Sequence, residues 1–139
     1  MHDLNKKKKR KYQMDFEERI QDIAPNYVSY MNNTKWRKYF TAIQESDIPI
    51  CYARVKVLGR DEDERFSSNP GLDPDVNYTR DGFELPFWFF EIEWIFIPNN
   101  DENGKHIQAI KELLGDLGQF EYDFDEAGLK IYGYKPLNR

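Results

Sequence analysis

The sequence predicts an α+β domain in which a four-stranded antiparallel sheet carries helices on one of its faces. Stretches with apolar residues three or four positions apart predict helices, and stretches with apolar residues at every second position predict strands. These stretches follow the order α-β-β-α-β-β, behind one additional N-terminal helix. Strands that come in pairs favour antiparallel neighbours over a parallel sheet, in which strands alternate with helices.

The chain divides into three parts by composition. Residues 1–12 are rich in lysine and have no apolar period, so they predict a disordered basic tail. Residues 13–30 predict an N-terminal helical extension, which Pro25 should end near Ile23. Residues 31–139 predict a single α+β domain, because this length and a hydrophobic content of 40% suffice for one core.

The first helix of this domain follows a run of asparagine and threonine. Asn33 or Thr34 can accept a hydrogen bond from the first free backbone amides, as N-cap residues do. The large apolar side chains that follow share one helical face: Trp36, Tyr39, Phe40 and Ile43. We expect this face to pack against the sheet.

The first strand is predicted after Asp47, where the apolar period changes to two. Its expected core face holds Cys51, Ala53, Val55 and Val57. Arg54 and Lys56 point to the opposite face, which we expect to be solvated. Residues 60–85 contain prolines, glycines and an acidic run, and therefore predict a long loop with room for a short strand.

Residues 87–97 predict the central strand, with an aromatic face beneath a helix. The expected core face holds Trp88, Phe90, Ile92, Trp94 and Phe96. Glu91 and Glu93 lie at the middle of the opposite face.

The last third of the chain predicts a helix and then a hairpin. The apolar face of the helix holds Ile107, Ile110, Leu113, Leu114 and Leu117. Alternating residues flank a turn over residues 125–128, in which Gly128 suits a left-handed position.

Signatures of catalysis are sparse in this sequence. Cys51 alternates with apolar residues and His106 starts a helix, so we interpret them as a core residue and a surface residue. Glu91 and Glu93 are the most enzyme-like feature, because on a strand they would project side by side, about 6–7 Å apart, like glycosidase carboxylates. The simpler interpretation is an ion-paired solvent face opposite basic residues of the neighbouring strand. We therefore predict no catalytic residue.

One loop has the spacing of a calcium-binding site. Between Asp73 and Glu84, oxygen-bearing side chains occupy positions 1, 3, 5, 9 and 12 of an EF-hand loop. However, Tyr78 stands where the sharp turn needs glycine, and no helical pattern flanks the segment. We interpret it as a surface loop, and we expect neither a metal ion nor a cofactor.

Charge is distributed unevenly along the chain. Residues 1–11 carry a net charge of +5 and residues 12–139 carry −10, which together give the chain its net −5. An acidic body repels nucleic acid and attracts basic proteins. The predicted partner-binding surface combines acidic residues with two aromatic anchors: Asp61, Glu62, Asp63, Glu64, Asp73, Asp75, Tyr78, Asp81, Phe83 and Glu84.

Two motifs carry a resemblance to known proteins. Residues 35–40 contain K-W-x-x-x-F, and residues 91–95 read E-I-E-W-I. They resemble a family of small bacterial domains of unknown function, over residues 31 to about 98 of this chain. Compact acidic α+β domains of this kind are similar to bacterial immunity proteins, which bind and block a cognate toxin. The resemblance implies no catalytic residues.

These observations predict a non-catalytic cytoplasmic binding protein of the immunity or antitoxin type, which neutralises a basic toxin domain through its acidic surface. Two alternatives stay open: a small hydrolase that uses Glu91 and Glu93, and a nucleic-acid-associated adaptor that uses the basic tail. We expect a basic protein as the partner and leave a homodimer open, since edge strands can pair. The single cysteine suits a reducing compartment, and the longest apolar run, residues 85–90, is too short for a membrane span.

Overall fold

The fold is built from two long helices and a series of short strands. The computed structural model describes residues 20–48, 53–66, 78–79, 87–100 and 104–137. The long helices are α1 (Asn33–Ser46) and α2 (Gly104–Leu117). The strands are β1 (Tyr27–Ser29), β2 (Ala53–Val57), β3 (Glu64–Phe66), β4 (Tyr78–Thr79), β5 (Phe87–Trp88), β6 (Ile92–Pro98), β7 (Tyr122–Asp125), β8 (Gly128–Tyr132) and β9 (Tyr134–Pro136). Residues 20–23 are also helical, and 3₁₀ turns lie at Ala24–Asn26 and Phe89–Glu91.

The central sheet has five strands in the order β3-β2-β6-β8-β7, and every pair is antiparallel. Strands β1 and β9 form a separate two-stranded sheet, as do β4 and β5. The predicted α+β class is confirmed, but the prediction of four strands in this sheet is wrong. The additional strand, β3, lies inside the predicted loop 60–85, where three residues are too few to show a period of two.

Helices α1 and α2 pack on one face of the five-stranded sheet and bury the hydrophobic core there. Trp36 and Phe40 of α1 are almost fully buried, and the Phe40 ring stacks on Phe89 with centroids 5.4 Å apart. The sheet contributes aliphatic side chains: Ala53, Val55, Val57, Ile92, Ile95, Ile97, Leu129 and Ile131. We call the face of the sheet opposite the helices the open face.

The predicted facing of the central strand is correct for Ile92, which is buried in the core, and wrong for Trp94 and Phe96. Ile95 and Ile97 are fully buried in the core, whereas Trp94 and Phe96 are only half-buried and lie on the open face. A β-bulge causes the change, because the register shifts between Lys56, which pairs with Trp94, and its neighbour Val57. One extra residue in a strand reverses the faces of every residue beyond it.

Trp88 and Phe90, which we expected on the same face of that strand, do not belong to it. Trp88 ends β5, and Phe90 lies in the 3₁₀ turn that precedes β6. Their rings are nearly parallel, with centroids 6.2 Å apart.

The two helices are tied together by lysines. Asn32, and not the predicted Asn33 or Thr34, caps α1 by accepting a hydrogen bond from the Lys35 amide at 2.8 Å. The Lys35 and Lys38 ammonium groups then donate to the carbonyls of Gln119 (2.7 Å) and Leu117 (2.9 Å). These carbonyls lie at and just beyond the C-terminal end of α2, where a helix leaves acceptors unpaired and favours cations.

The described part of the N-terminal extension lies against the C-terminal strand. The helix at residues 20–23 gives way to the 3₁₀ turn that contains Pro25, close to the predicted end. Strand β1 then pairs with β9, and the Tyr30 amide donates to the Gly133 carbonyl at 2.9 Å. Among the residues described here, no helix combines the length and apolar content needed to cross a bilayer.

Candidate functional site

The open face of the sheet forms a groove of about 460 Å³. Its floor is aromatic and consists of Trp94 and Phe96 on β6 and Tyr132 on β8. Arg54 and Asp63 border one side, and the aspartates of β7 border the other. The groove is therefore an apolar surface with charged margins, a common arrangement for a binding site.

A lysine lies across the aromatic floor. The register of β6 and β8 places Lys130 directly opposite Phe96. Its Nζ atom lies 4.3 Å from the Trp94 ring centroid and 6.0 Å from that of Phe96. A cation at this distance is attracted by the electron-rich ring faces, so the floor already holds one positive charge.

On the β2–β3 side, Arg54 binds Asp63. The Arg54 Nε atom donates to Asp63 Oδ1 at 2.8 Å, and the Nη2 atom donates to the same oxygen. The hydrogen bond to Asp63 raises the pKa of Arg54 above its ordinary value. This margin is therefore a neutralised pair.

On the β7 side, two carboxylates are held in place at an exposed strand. The Tyr132 hydroxyl donates to Asp123 Oδ2 at 2.7 Å. Asp125 Oδ1 accepts from the backbone amides of Ala127 (2.8 Å) and Gly128 (3.3 Å) in the turn to β8. The donors of these hydrogen bonds are neutral, and the cross-strand neighbour of Asp123 is Lys130.

The predicted side-by-side carboxylate pair does not form on the central strand. Glu91 ends the 3₁₀ turn, is 3% exposed and accepts a hydrogen bond from the Trp88 amide at 3.0 Å. Glu93 is 8% exposed and binds Lys56 Nζ at 2.9 Å. The strand geometry assumed for the pair is wrong because Glu91 precedes β6, while the expected ion pairing of Glu93 with β2 is present.

The predicted acidic cluster is only partly available as a binding surface. Asp61 and Glu62 are exposed beside the turn after β2, whereas Asp63 and Glu64 bind arginines. Tyr78 lies in β4, and the other predicted contact residues lie outside the described residues: Asp73, Asp75, Asp81, Phe83 and Glu84.

The two residues considered for nucleophilic or acid–base chemistry fall in different places. His106 lies in the first turn of α2 at a half-buried position, and Cys51 lies outside the described residues. The calcium-like spacing also falls mainly outside them. Within the described ranges, no group of three or more histidine, cysteine, aspartate or glutamate side chains could hold a metal ion.

A second hollow, of about 470 Å³, lies between the C-terminal end of α2 and the start of β7. Its lysine, Lys35, donates to the Gln119 and Tyr30 carbonyls, at 2.7 and 3.4 Å. The cation of this hollow therefore serves the fold, and we favour the open-face groove as the functional site.

Asp63 is the one residue of the groove lining that the sequence predicted as a partner contact, and the aromatic floor and Lys130 were not predicted. In the C-terminal hairpin, Lys130 alternates with the core residues Leu129 and Ile131. The pattern therefore predicts that the Lys130 side chain lies on the face of the sheet away from the core. The facing of Trp94 and Phe96 could not be predicted, because no residue such as glycine marks the bulge that turns these side chains to the open face.

No curated protein and no solved structure matches the chain. One family model, described as a family of unknown function (DUF6678), matches residues 20–138 and thus spans both long helices and all the strands described above. The expected membership of a family of unknown function is confirmed, whereas the similarity to immunity proteins stays a prediction. The chain belongs to the family of unknown function DUF6678.

Proposed function

We propose that this protein is a non-catalytic binding protein that docks a basic protein partner on the open face of its sheet. The observation that carries the proposal is the half-buried pair Trp94 and Phe96, which lies opposite both helices and between charged margins. Large aromatic side chains at the centre of a surface, ringed by polar groups, are the usual source of binding energy in protein interfaces.

Charge favours a basic partner over an acidic one. The chain has a net charge of −5, and the exposed carboxylates Asp123 and Asp125 line the β7 margin of the groove. Complementary charge accelerates encounter and fixes orientation. The partner is therefore expected to present lysine or arginine at the β7 margin and an apolar group over Trp94.

A bacterial immunity or antitoxin protein fits this description best. Such a protein acts by occupying a basic toxin domain and needs a surface, not a reactive centre. The acidic composition supports this proposal. So do two structural contacts, in which Glu91 accepts a hydrogen bond from the Trp88 amide and Glu93 pairs with Lys56. The single cysteine supports a cytoplasmic location as part of the same proposal.

Single-stranded nucleic acid is the alternative ligand that an aromatic floor could bind. Exposed rings beside cations also stack nucleobases. Asp63 is already paired with Arg54, but Asp123 and Asp125 line the same groove and would repel the phosphates, and we therefore favour a protein partner.

The test measures affinity for proteins encoded next to this one in its genome. Each neighbouring product is titrated against the wild-type protein and against Trp94→Ala by calorimetry, with an oligothymidine strand as a separate ligand. We expect a basic product to bind and Trp94→Ala to weaken it by roughly 2 kcal/mol or more, as for a central aromatic anchor.

The matched control is Leu137→Ala, which removes a different exposed apolar side chain, one that does not line the groove. Equal losses for both variants, or tight binding of oligothymidine with a steep salt dependence, would contradict the proposal. The folded state of each variant is checked first by urea denaturation.

A further inference from the structure

Strand β7 is an edge of the five-stranded sheet. It pairs with β8 on one side, and no other described strand pairs with it. An edge strand presents backbone donors and acceptors to which another extended chain can pair. The described residues therefore leave one long side of the sheet open for strand addition.

The hydrogen-bond pattern identifies the outward backbone groups. The Tyr132 amide donates to the Glu121 carbonyl at 2.9 Å, so Glu121 and Tyr132 form a hydrogen-bonded pair. Such pairs alternate along an antiparallel ladder, which makes Phe124 and Leu129 a non-hydrogen-bonded pair. The amide and carbonyl groups of Tyr122 and Phe124 consequently point away from β8.

The side chains of β7 alternate in chemistry as well as in direction. Asp123 and Asp125 face the groove and are exposed. Phe124 faces the helix side, is 45% exposed, and has the Lys111 ammonium of α2 at 4.6 Å from its ring centroid. The edge therefore offers two negative charges on one face of the sheet and one apolar group on the other.

We infer that β7 accepts an extended segment of the basic partner as a sixth strand of the sheet. Side chains on an added strand also alternate between the two faces. Lysine or arginine at every second position would lie beside Asp123 and Asp125, and an apolar residue between them would cover Phe124. This inference rests on the proposed function, and it names the way in which the partner binds.

The same charges disfavour a second copy of this chain at that edge. Antiparallel pairing of two β7 strands about Phe124 places Asp123 of each copy opposite Asp125 of the other. Directly opposed like charges destabilise a strand pair. A foreign basic segment is therefore the better occupant.

The test uses synthetic peptides and amide hydrogen exchange measured by nuclear magnetic resonance. The probe is an alternating Lys-Val-Lys-Val-Lys peptide with blocked termini. It is compared with a peptide of the same composition in scrambled order, and with the alternating peptide methylated on the backbone nitrogens of its valines and, separately, of its lysines. Each methylated peptide keeps its charge but loses the backbone hydrogen-bond donors of either its valines or its lysines.

We expect the alternating peptide to slow exchange at the Tyr122 and Phe124 amides, and one of the two methylated peptides to lose this effect. Asp123→Asn with Asp125→Asn should weaken binding about fivefold, the size expected for two exposed charge pairs. The control, Glu112→Gln with Asp116→Asn, removes two exposed charges from α2 and should leave binding within twofold.

Two outcomes separate the inference from the proposed function. In the first outcome, the scrambled peptide binds as tightly as the alternating peptide, depends equally on the two aspartates, and neither peptide slows exchange at the Tyr122 and Phe124 amides. This result overturns strand addition but keeps the acidic docking face. The absence of any binding, or binding that both double variants weaken equally, overturns strand addition and also contradicts the charge argument for the partner.

Discussion

The Lys130 ammonium lies 4.3 Å from the centre of the Trp94 ring, on the face of the sheet opposite the helices. The two residues belong to adjacent strands, and Lys130 is paired directly with Phe96, the residue two positions beyond Trp94. The contact keeps a positive charge over the ring that we propose as the central anchor. A basic partner would therefore have to displace this charge or pack beside it.

Replacing Lys130 by methionine tests this contact. The variant keeps the apolar packing on the ring and loses the cation, so we expect the free energy of unfolding to fall by about 0.5–1 kcal/mol. Urea denaturation followed by tryptophan fluorescence measures the loss. The control is Lys105→Met at an exposed position of α2, and an equal loss there would show that the cation–ring contact contributes nothing specific.

The ion pair of Lys56 and Glu93 should contribute more than the exposed pair of Arg60 and Glu64. The side chains of the first pair are 23% and 11% exposed, against 35% and 41% for the second. Water screens the second pair more strongly. Double-mutant cycles with Lys56→Met and Glu93→Gln should give a coupling energy of about 1–3 kcal/mol.

The cycle with Arg60→Met and Glu64→Gln serves as the control and should give at most about 0.5 kcal/mol. Coupling of similar size in both cycles would mean that burial does not strengthen the Glu93 pair. Glu93 would then lose its assigned role as a structural carboxylate.

Gly128 should not tolerate a side chain. Its φ of 148° lies where L-residues are rarely found, and a Cβ atom there would collide with the Ile97 carbonyl oxygen. Gly128→Ala should therefore lower the free energy of unfolding by roughly 2–4 kcal/mol, because the β6–β8 pairing must shift. Gly115→Ala, where a Cβ meets nothing within 4 Å, should instead raise stability by about 0.5–1 kcal/mol. Thermal denaturation of both variants measures the difference, and a stable Gly128→Ala protein would contradict the described turn.

Ionisation of Tyr39 should lower the free energy of unfolding at alkaline pH. Burial raises the pKa of its hydroxyl well above the ordinary value of 10, so the folded state keeps the proton where the unfolded state loses it. The resulting stabilisation is complete below pH 10 and is lost progressively as the pH rises from 10 towards the folded-state pKa. Burial also raises the pKa of Tyr134, whose hydroxyl donates to the Phe90 carbonyl at 2.8 Å.

The measurement compares the free energy of unfolding of wild type and Tyr39→Phe from pH 8 to pH 11.5. Phenylalanine cannot ionise, so the wild type should lose more stability over this range than the variant. Parallel curves for the two proteins would contradict the burial of the Tyr39 hydroxyl.

Much of the architecture could be predicted because the spacing of apolar residues along the chain indicates which face of a helix or strand is buried. The faces of α1 and α2 follow from spacing, and the hairpin turn at Gly128 follows from glycine's freedom to adopt positive φ. The bounds and pairing of strand β3 could not be predicted within the loop 60–85, since three residues show no period.

The site could be predicted less well than the fold. Trp94, Ile95, Phe96 and Ile97 are all apolar, so either face of β6 could have been the core face. The bulge decides between them by aligning Ile95 with Val55 on one side and Ile131 on the other. This is a property of three strands together, and no single segment of the sequence reports it.

The most direct test of the proposed docking face is hydroxyl-radical footprinting of the protein with and without the proposed basic partner, read by mass spectrometry. The docking face predicts that the partner lowers oxidation of Trp94, Phe96 and Tyr132 severalfold, while the exposed Leu137 is oxidised as before and reports the radical dose. Unchanged oxidation of Trp94 in a saturated complex, with protection on the outer surface of α1 or α2 instead, would contradict it.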